Sequence, residues 1–100
     1  MAKTKQEIID DITSYIIKHS PSDDDWYVGI TKDVEERLFA FHNVKEKGGA
    51  WIHRIASSSK IAREIEKELL DLGCEGGPGG GDDDSDIVYA YRIMNYTKER

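Results

Sequence analysis

Cysteine is nearly missing from this chain. Cys74 is alone, so no disulfide can close within it, and an intracellular, cytoplasmic setting is the expectation. No apolar run approaches the length that spans a bilayer, and the first residues lack the apolar stretch of a secretory signal, so no membrane role is expected. Positive charge is also in deficit. Fourteen Lys and Arg face twenty Asp and Glu, for a formal net charge of −6. That balance argues against general electrostatic capture of nucleic acid, although it leaves room for a local basic patch. No internal repeat is present. One hundred residues suit a single domain, residues 1–100, with one core of modest size.

What is there alternates between helical and extended patterns. Thr4 to His19 reads as a helix, opened by a Thr4–Glu7 capping box, with Ile8, Ile9, Ile12, Tyr15 and Ile16 on one face. Ser20-Pro21-Ser22 ends it, and Asp23 to Asp25 read as a solvated loop. Trp26 to Ile30 is β-rich. Asp33 is a suitable N-cap for a helical pattern from about Val34 to Val44, with Val34, Leu38 and Phe41 as its stripe. Lys45 to Gly49 is turn-like. Ala50 to Ala56 alternates, with Trp51, His53 and Ile55 on one face and Ile52, Arg54 and Ala56 on the other. Both faces are mixed, so the pattern does not decide which meets the core. Ser57, Ser58 and Ser59 offer N-caps for a helix from Lys60 to Leu72 with the stripe Ile61, Ile65, Leu69 and Leu72. Glu64 is spaced to pair with Lys60 or Lys67, and Gly73 is placed to end the helix. Ile87 to Met94 is the third extended run. Its Ile87, Tyr89, Tyr91 and Ile93 face one way, and Val88, Ala90 and Arg92 the other.

Between the last helix and this strand runs a Gly- and Asp-rich segment, Gly73 to Asp86, whose composition cannot build a core and predicts a mobile surface loop. Asp82, Asp84 and Asp86 alternate as in a calcium loop. An EF-hand starting at Asp82 would need glycine at Ile87 and glutamate at Ile93, which excludes it. The acids beside the glycines also repel phosphate. The expected fold class is α+β in αβαβαβ order, with a small three-stranded, mixed or antiparallel sheet flanked by three helices.

The stretch Trp26 to Leu38 (WYVGITKDVEERL) carries the chemistry. Gly29 weakens a strand unless something must come close to its backbone, and Arg37 stands one turn into the helix that follows. A strand glycine beside a helix arginine is suited to receive a phosphate. Tyr27-Val28-Gly29, a short linker with Asp33, and then Arg37 resemble the second half of the GIY-YIG nuclease motif. The likeness covers about a fifth of the chain well and about another third loosely. In that family a Gly-Ile-Tyr strand comes just before the Tyr-Ile-Gly strand. Here the helix Thr4–His19 holds that place, which suggests a rearranged core in which Val88-Tyr89-Ala90-Tyr91 supplies the missing strand. The resemblance implies roles for this chain's residues. Glu66 would bind a divalent metal, Mg²⁺ by preference, Arg37 would clamp the scissile phosphate with Gly29 beside it, and Tyr27 with Tyr89 or Tyr91 would form the tyrosine pair. A tyrosine working this way needs metal or arginine to lower its pKa from about 10. The family's histidine falls one turn beyond the arginine, where Phe41 stands. His42 comes one residue later and, on an ideal helix, on the other side of the stripe. His53 would substitute only from the same cleft, and each histidine is otherwise expected to be an ordinary surface or part-buried residue.

Three functions follow. The resemblance implies a metal-dependent endonuclease acting on DNA. The alternative is a catalytically inactive nuclease-like module that binds protein or nucleic acid, favoured by the acidic balance and the displaced histidine. The third is an unrelated small α/β interaction domain, using an exposed Phe39 and the aromatic strand. The nuclease requires Arg37 and Glu66 to face one cleft, and the Tyr27 strand is expected at or near the centre of the sheet, paired with both Ala50–Ala56 and Ile87–Met94.

Overall fold

A computed structural model describes residues 4–19, 26–45, 50–76, 85–94 and 97, with Phe41 as backbone only. The aspartate run Asp23–Asp25, most of the Lys45–Gly49 turn, most of the Gly- and Asp-rich loop with its expected mobility, and nearly all of the polar tail lie outside the described residues. The elements are α1 (Lys5–His19), β1 (Trp26–Thr31), a π-helical segment (Glu36–Phe41), β2 (Trp51–Ile55), α2 (Ser59–Asp71) and β3 (Ile87–Arg92). Helices and a three-stranded antiparallel sheet make this an α+β fold. No described helix is long and apolar enough to cross a membrane.

Both α-helices start where their caps direct. The Thr4 amide donates to the Glu7 carboxylate at 2.9 Å, and the Glu7 amide donates to Thr4 Oγ1 at 3.2 Å. Of the three serines before α2, Ser58 is the cap, accepting from the Ile61 amide at 3.2 Å. Gly73, at φ 118°, turns the chain out of α2 as expected. Leu72 does not complete the apolar stripe. It lies in the turn where the helix has already ended and is 53% exposed.

The sheet runs β1-β3-β2, with β3 antiparallel to both neighbours. The Tyr27 strand is therefore at an edge rather than the centre, and it does not pair with Trp51–Ile55. The central place goes to β3, whose Val88, Tyr89, Ala90 and Tyr91 are buried on both faces, as a middle strand requires. β3 pairs directly with β1, setting Tyr27 opposite Tyr91 and Gly29 opposite Tyr89. The outer edge of β1 is covered by Glu75, whose amide donates to the Trp26 carbonyl at 2.7 Å and whose carbonyl accepts from Val28 at 2.8 Å.

The two faces of this sheet are covered differently. One carries Trp26, Val28, Ile30, Val88, Ala90 and Ile52 and packs under α1 and α2, with Ile8, Ile12, Ile16, Ile65 and Leu69 wholly or almost wholly buried. That settles β2: Ile52 and Ala56 meet this core, while Arg54 at the margin bonds Asp11 of α1 at 2.9 Å. Glu64 pairs with neither Lys60 nor Lys67 among the described ion pairs but with Lys5 of α1, at 3.3 Å. The opposite face holds Tyr27, Tyr89, Tyr91 and Trp51 under the π-helical segment and its flanks, with Leu38 and Val44 buried and Val34 and Phe39 half-buried. Phe39 is thus not the exposed residue expected, since its ring meets Trp51 edge-on at 5.2 Å.

The middle helix departs most from its pattern. Asp33 caps it as expected, accepting from the Glu36 amide at 3.1 Å. From Glu36 to Phe41, however, it is π-helical, and the His42 amide donates to the carbonyl of Arg37, five residues back, at 3.0 Å. Asn43, at φ 59°, ends it in the left-handed conformation that asparagine tolerates. A π turn carries one residue more than an α turn, so positions five apart come to the same side. Arg37 and His42 are five apart, so the ideal α-helical spacing that sets them on opposite sides of the stripe does not apply to this segment.

Candidate functional site

His42 is the hub of the second face. It leaves the end of the π-helical segment and is 1% exposed. Its Nε2 lies 2.8 Å from the Tyr89 hydroxyl and its Nδ1 lies 3.1 Å from the Tyr91 hydroxyl. The Tyr27 ring meets the imidazole at 4.8 Å and stacks on Tyr91 at 5.3 Å. A neutral imidazole has one N–H and one bare nitrogen, so one tyrosine donates to the ring and the other accepts from it. Three tyrosines thus enclose one histidine, and His42 is no ordinary surface residue. Polar tips buried in this way cost stability unless each is paired, and here each imidazole nitrogen is paired.

Gly29 explains how Tyr89 fits. A side chain there would overlap the Tyr89 hydroxyl and stand 2.6 Å from its Cζ. The close approach that a strand glycine permits is made by Tyr89 itself, across the β1–β3 pair. No phosphate is needed to account for the glycine.

Tyr89 also feels the charges of the remaining residues. Burial pushes its pKa well above the usual tyrosine value, with Tyr27 adding to the rise, Arg37 pulling against it and Glu66 raising it further. Arg37 and Glu66 are therefore both near enough to be felt by one phenol, although they come from different helical elements. The direction corrects an expectation. A tyrosine pKa lowered by arginine was required of a reactive phenol, yet burial outweighs Arg37 and keeps Tyr89 protonated at neutral pH.

Glu66 sits on α2, half-buried at the side of the stripe formed by Ala62, Ile65 and Leu69. Its Oε2 is enclosed and meets no hydrogen-bond partner among the described residues. Burial raises its pKa, with Arg63 opposing. An orphaned carboxylate oxygen is a feature to explain, and a cation would satisfy it. Among the described residues no three of His, Cys, Asp or Glu gather to form a metal cage. A single carboxylate nonetheless suits Mg²⁺, which keeps several waters and takes other ligands from substrate phosphate.

Neither of the other histidines bonds to the His42 hub among the described contacts. His53 lies opposite Tyr89 in the β2–β3 register, but its ring stacks on Trp51 at 5.9 Å, and its pKa is lowered by burial and then by Arg54. His19 is exposed on α1 against Tyr15. The sequence undervalued Tyr91 and His42 as a pair. The one available signal was that a tyrosine-rich strand and a histidine both needed buried polar partners. No known protein family, curated protein or solved structure matches the chain.

Proposed function

We propose that this chain is a GIY-YIG-like endonuclease domain with a rearranged core, hydrolysing phosphodiester bonds of DNA with a divalent metal. The observation that carries it is the packing around Tyr89: His42 bonds its hydroxyl and Gly29 admits its ring, with the charges of Arg37 and Glu66 within electrostatic reach. β3 takes the part of the family's first motif strand, beside the Tyr27-Val28-Gly29 strand. The π turn supports the same reading, because a turn of that kind brings positions five apart towards one side, as a histidine one residue late would need.

Roles follow from chemistry. Arg37 offers a planar pair of donors to a phosphate. Tyr89, kept protonated, donates to Nε2 of His42 and leaves its oxygen free to accept from a water. As that water attacks phosphorus, the bond from phosphorus to the leaving sugar oxygen breaks and that oxygen takes a proton from solvent, while the attacking water's proton passes to Tyr89 oxygen and the Tyr89 proton passes to Nε2. His42 becomes an imidazolium, steadied by Tyr91 through Nδ1. Tyr91 is wholly enclosed, so it is a positioning residue. Tyr27, the most exposed of the three tyrosines at 8%, stands outermost. Glu66 would hold the cation, which when bound would polarise the phosphoryl oxygen and stabilise developing charge.

A nuclease-like module that binds without cutting is the second function, favoured by the nearly complete enclosure of His42, Tyr89 and Tyr91. Plasmid nicking with Mg²⁺ or Mn²⁺ separates the two. The nuclease predicts nicking by the wild type, lowered about a hundredfold or more in Arg37→Ala, Glu66→Gln and Tyr89→Phe. Equal nicking by all four proteins, or none by a folded wild type, rejects it.

A further inference from the structure

We infer that the outer face of α2 is a track for the sugar-phosphate backbone of duplex DNA, formed by Lys60, Arg63 and Lys67. These residues recur at helical spacing and are all exposed. With Ser59 and Glu64 they line a shallow groove of about 400 Å³. Charge on α2 is sorted by direction. Glu64 and Glu68 turn to Lys5 of α1, at 3.3 and 3.0 Å, so one of their two negative charges is matched by that lysine. Glu66 lies on the other flank, and Arg63 is close enough to oppose the effect of burial on it. The basic ridge thus runs along α2 between the α1 side and the Glu66 flank. From Lys60 to Lys67 the helix rises about 10 Å, which spans about three phosphates of one strand. A chain of net charge −6 that concentrates three cations beside a candidate phosphodiester site has the local patch that its overall charge withholds.

This rests on the nuclease function for the meaning of the site, but its test reads binding rather than cleavage. The full chain is titrated into a short fluorescent DNA duplex without divalent metal, across a salt series. Wild type should bind, and Lys60→Gln/Lys67→Gln should weaken binding alike for unrelated sequences and reduce the salt slope by about two. Lys18→Glu on α1 changes the net charge equally and should leave both quantities unchanged. Thermal melts confirm that each variant is folded, and both substituted lysines of the ridge are exposed. The track is overturned if wild type does not bind, if the double variant binds like wild type, or if Lys18→Glu weakens binding as much. It is also overturned if polyglutamate competes as well as duplex, which would make the ridge a surface for acidic peptides. A ridge variant that binds and nicks like wild type removes the track and leaves the nuclease. Salt-dependent binding lost in the ridge variant, with no nicking by wild type, removes the nuclease and leaves the track.

Discussion

The two faces of the sheet bury comparable side chains by different means. Under α1 and α2 the contacts are Ile, Val, Leu and Ala, and fit is a matter of volume. Under the π-helical segment three tyrosines and a histidine fill the space, and fit also depends on which nitrogen meets which hydroxyl. The first face is cheap to build and tolerant of chemistry. The second must keep its polar atoms paired, and replacing such a network by apolar groups of similar shape is often neutral for stability. A network retained at that cost points to use.

The largest effect belongs to the apolar face. Ile65→Ala should destabilise the domain by about 2–5 kcal/mol, seen in urea or thermal unfolding. Nicking per folded molecule should be unchanged, and a loss of chemistry with the fold intact would break the division between faces. Next is Tyr89→Phe, which leaves Nε2 of His42 without its partner and should cost about 1–3 kcal/mol. The triple variant His42→Phe/Tyr89→Phe/Tyr91→Phe removes all three polar tips together. It should be more stable than Tyr89→Phe alone yet fail to nick, and a triple variant that unfolds would show the network to be structural.

Deleting Ala40, which is exposed on the π-helical segment, should have a smaller effect. Removing the extra residue should return the segment to α-helix with the histidine four positions after Arg37. NMR carbon shifts and melting would read a folded domain, and collapse of the fold would show that the π turn is required for packing. The smallest effect concerns Glu66. Because burial raises its pKa above the ordinary 4.5, the charged form is disfavoured in the folded state. Glu66→Gln should therefore melt higher than wild type at neutral pH, with the gain fading as pH falls through the raised value towards 4.5. Mn²⁺ should raise the melting temperature of wild type and not of the variant. The same gain at pH 4 as at pH 7, or an equal Mn²⁺ effect on both, would contradict this.

Local structure was legible where one residue dictates it. Thr4 with Glu7, Asp33 and Gly73 each sit where their chemistry caps or turns the chain. The alternation of Ile87 to Arg92 placed its tyrosines on one face. What pairing decides was less visible. Nothing in Trp26–Thr31 shows that its outer edge would be covered by Glu75 and its inner edge by β3. The π turn was hidden for a physical reason: a 3.6-residue stripe reads Val34, Leu38 and Phe41, and one extra residue in a single turn leaves no repeat to detect. The contacts of His42 depend on that turn, so the hub of the site was illegible although every residue around it had been named.

The sheet order also sets a timetable for synthesis. β1 and β2 share no hydrogen bonds, and each depends on β3, which comes last of the three in the chain. While the ribosome is still making residues 59–86, the nascent chain holds two strands without a common partner, whose unpaired edges are exposed to association. The sheet can close only when Ile87–Arg92 has emerged, by contacts that span up to 66 residues from Trp26 to Arg92. That one late strand brings Tyr89 and Tyr91 to His42, so the fold and the candidate site are completed in the same step.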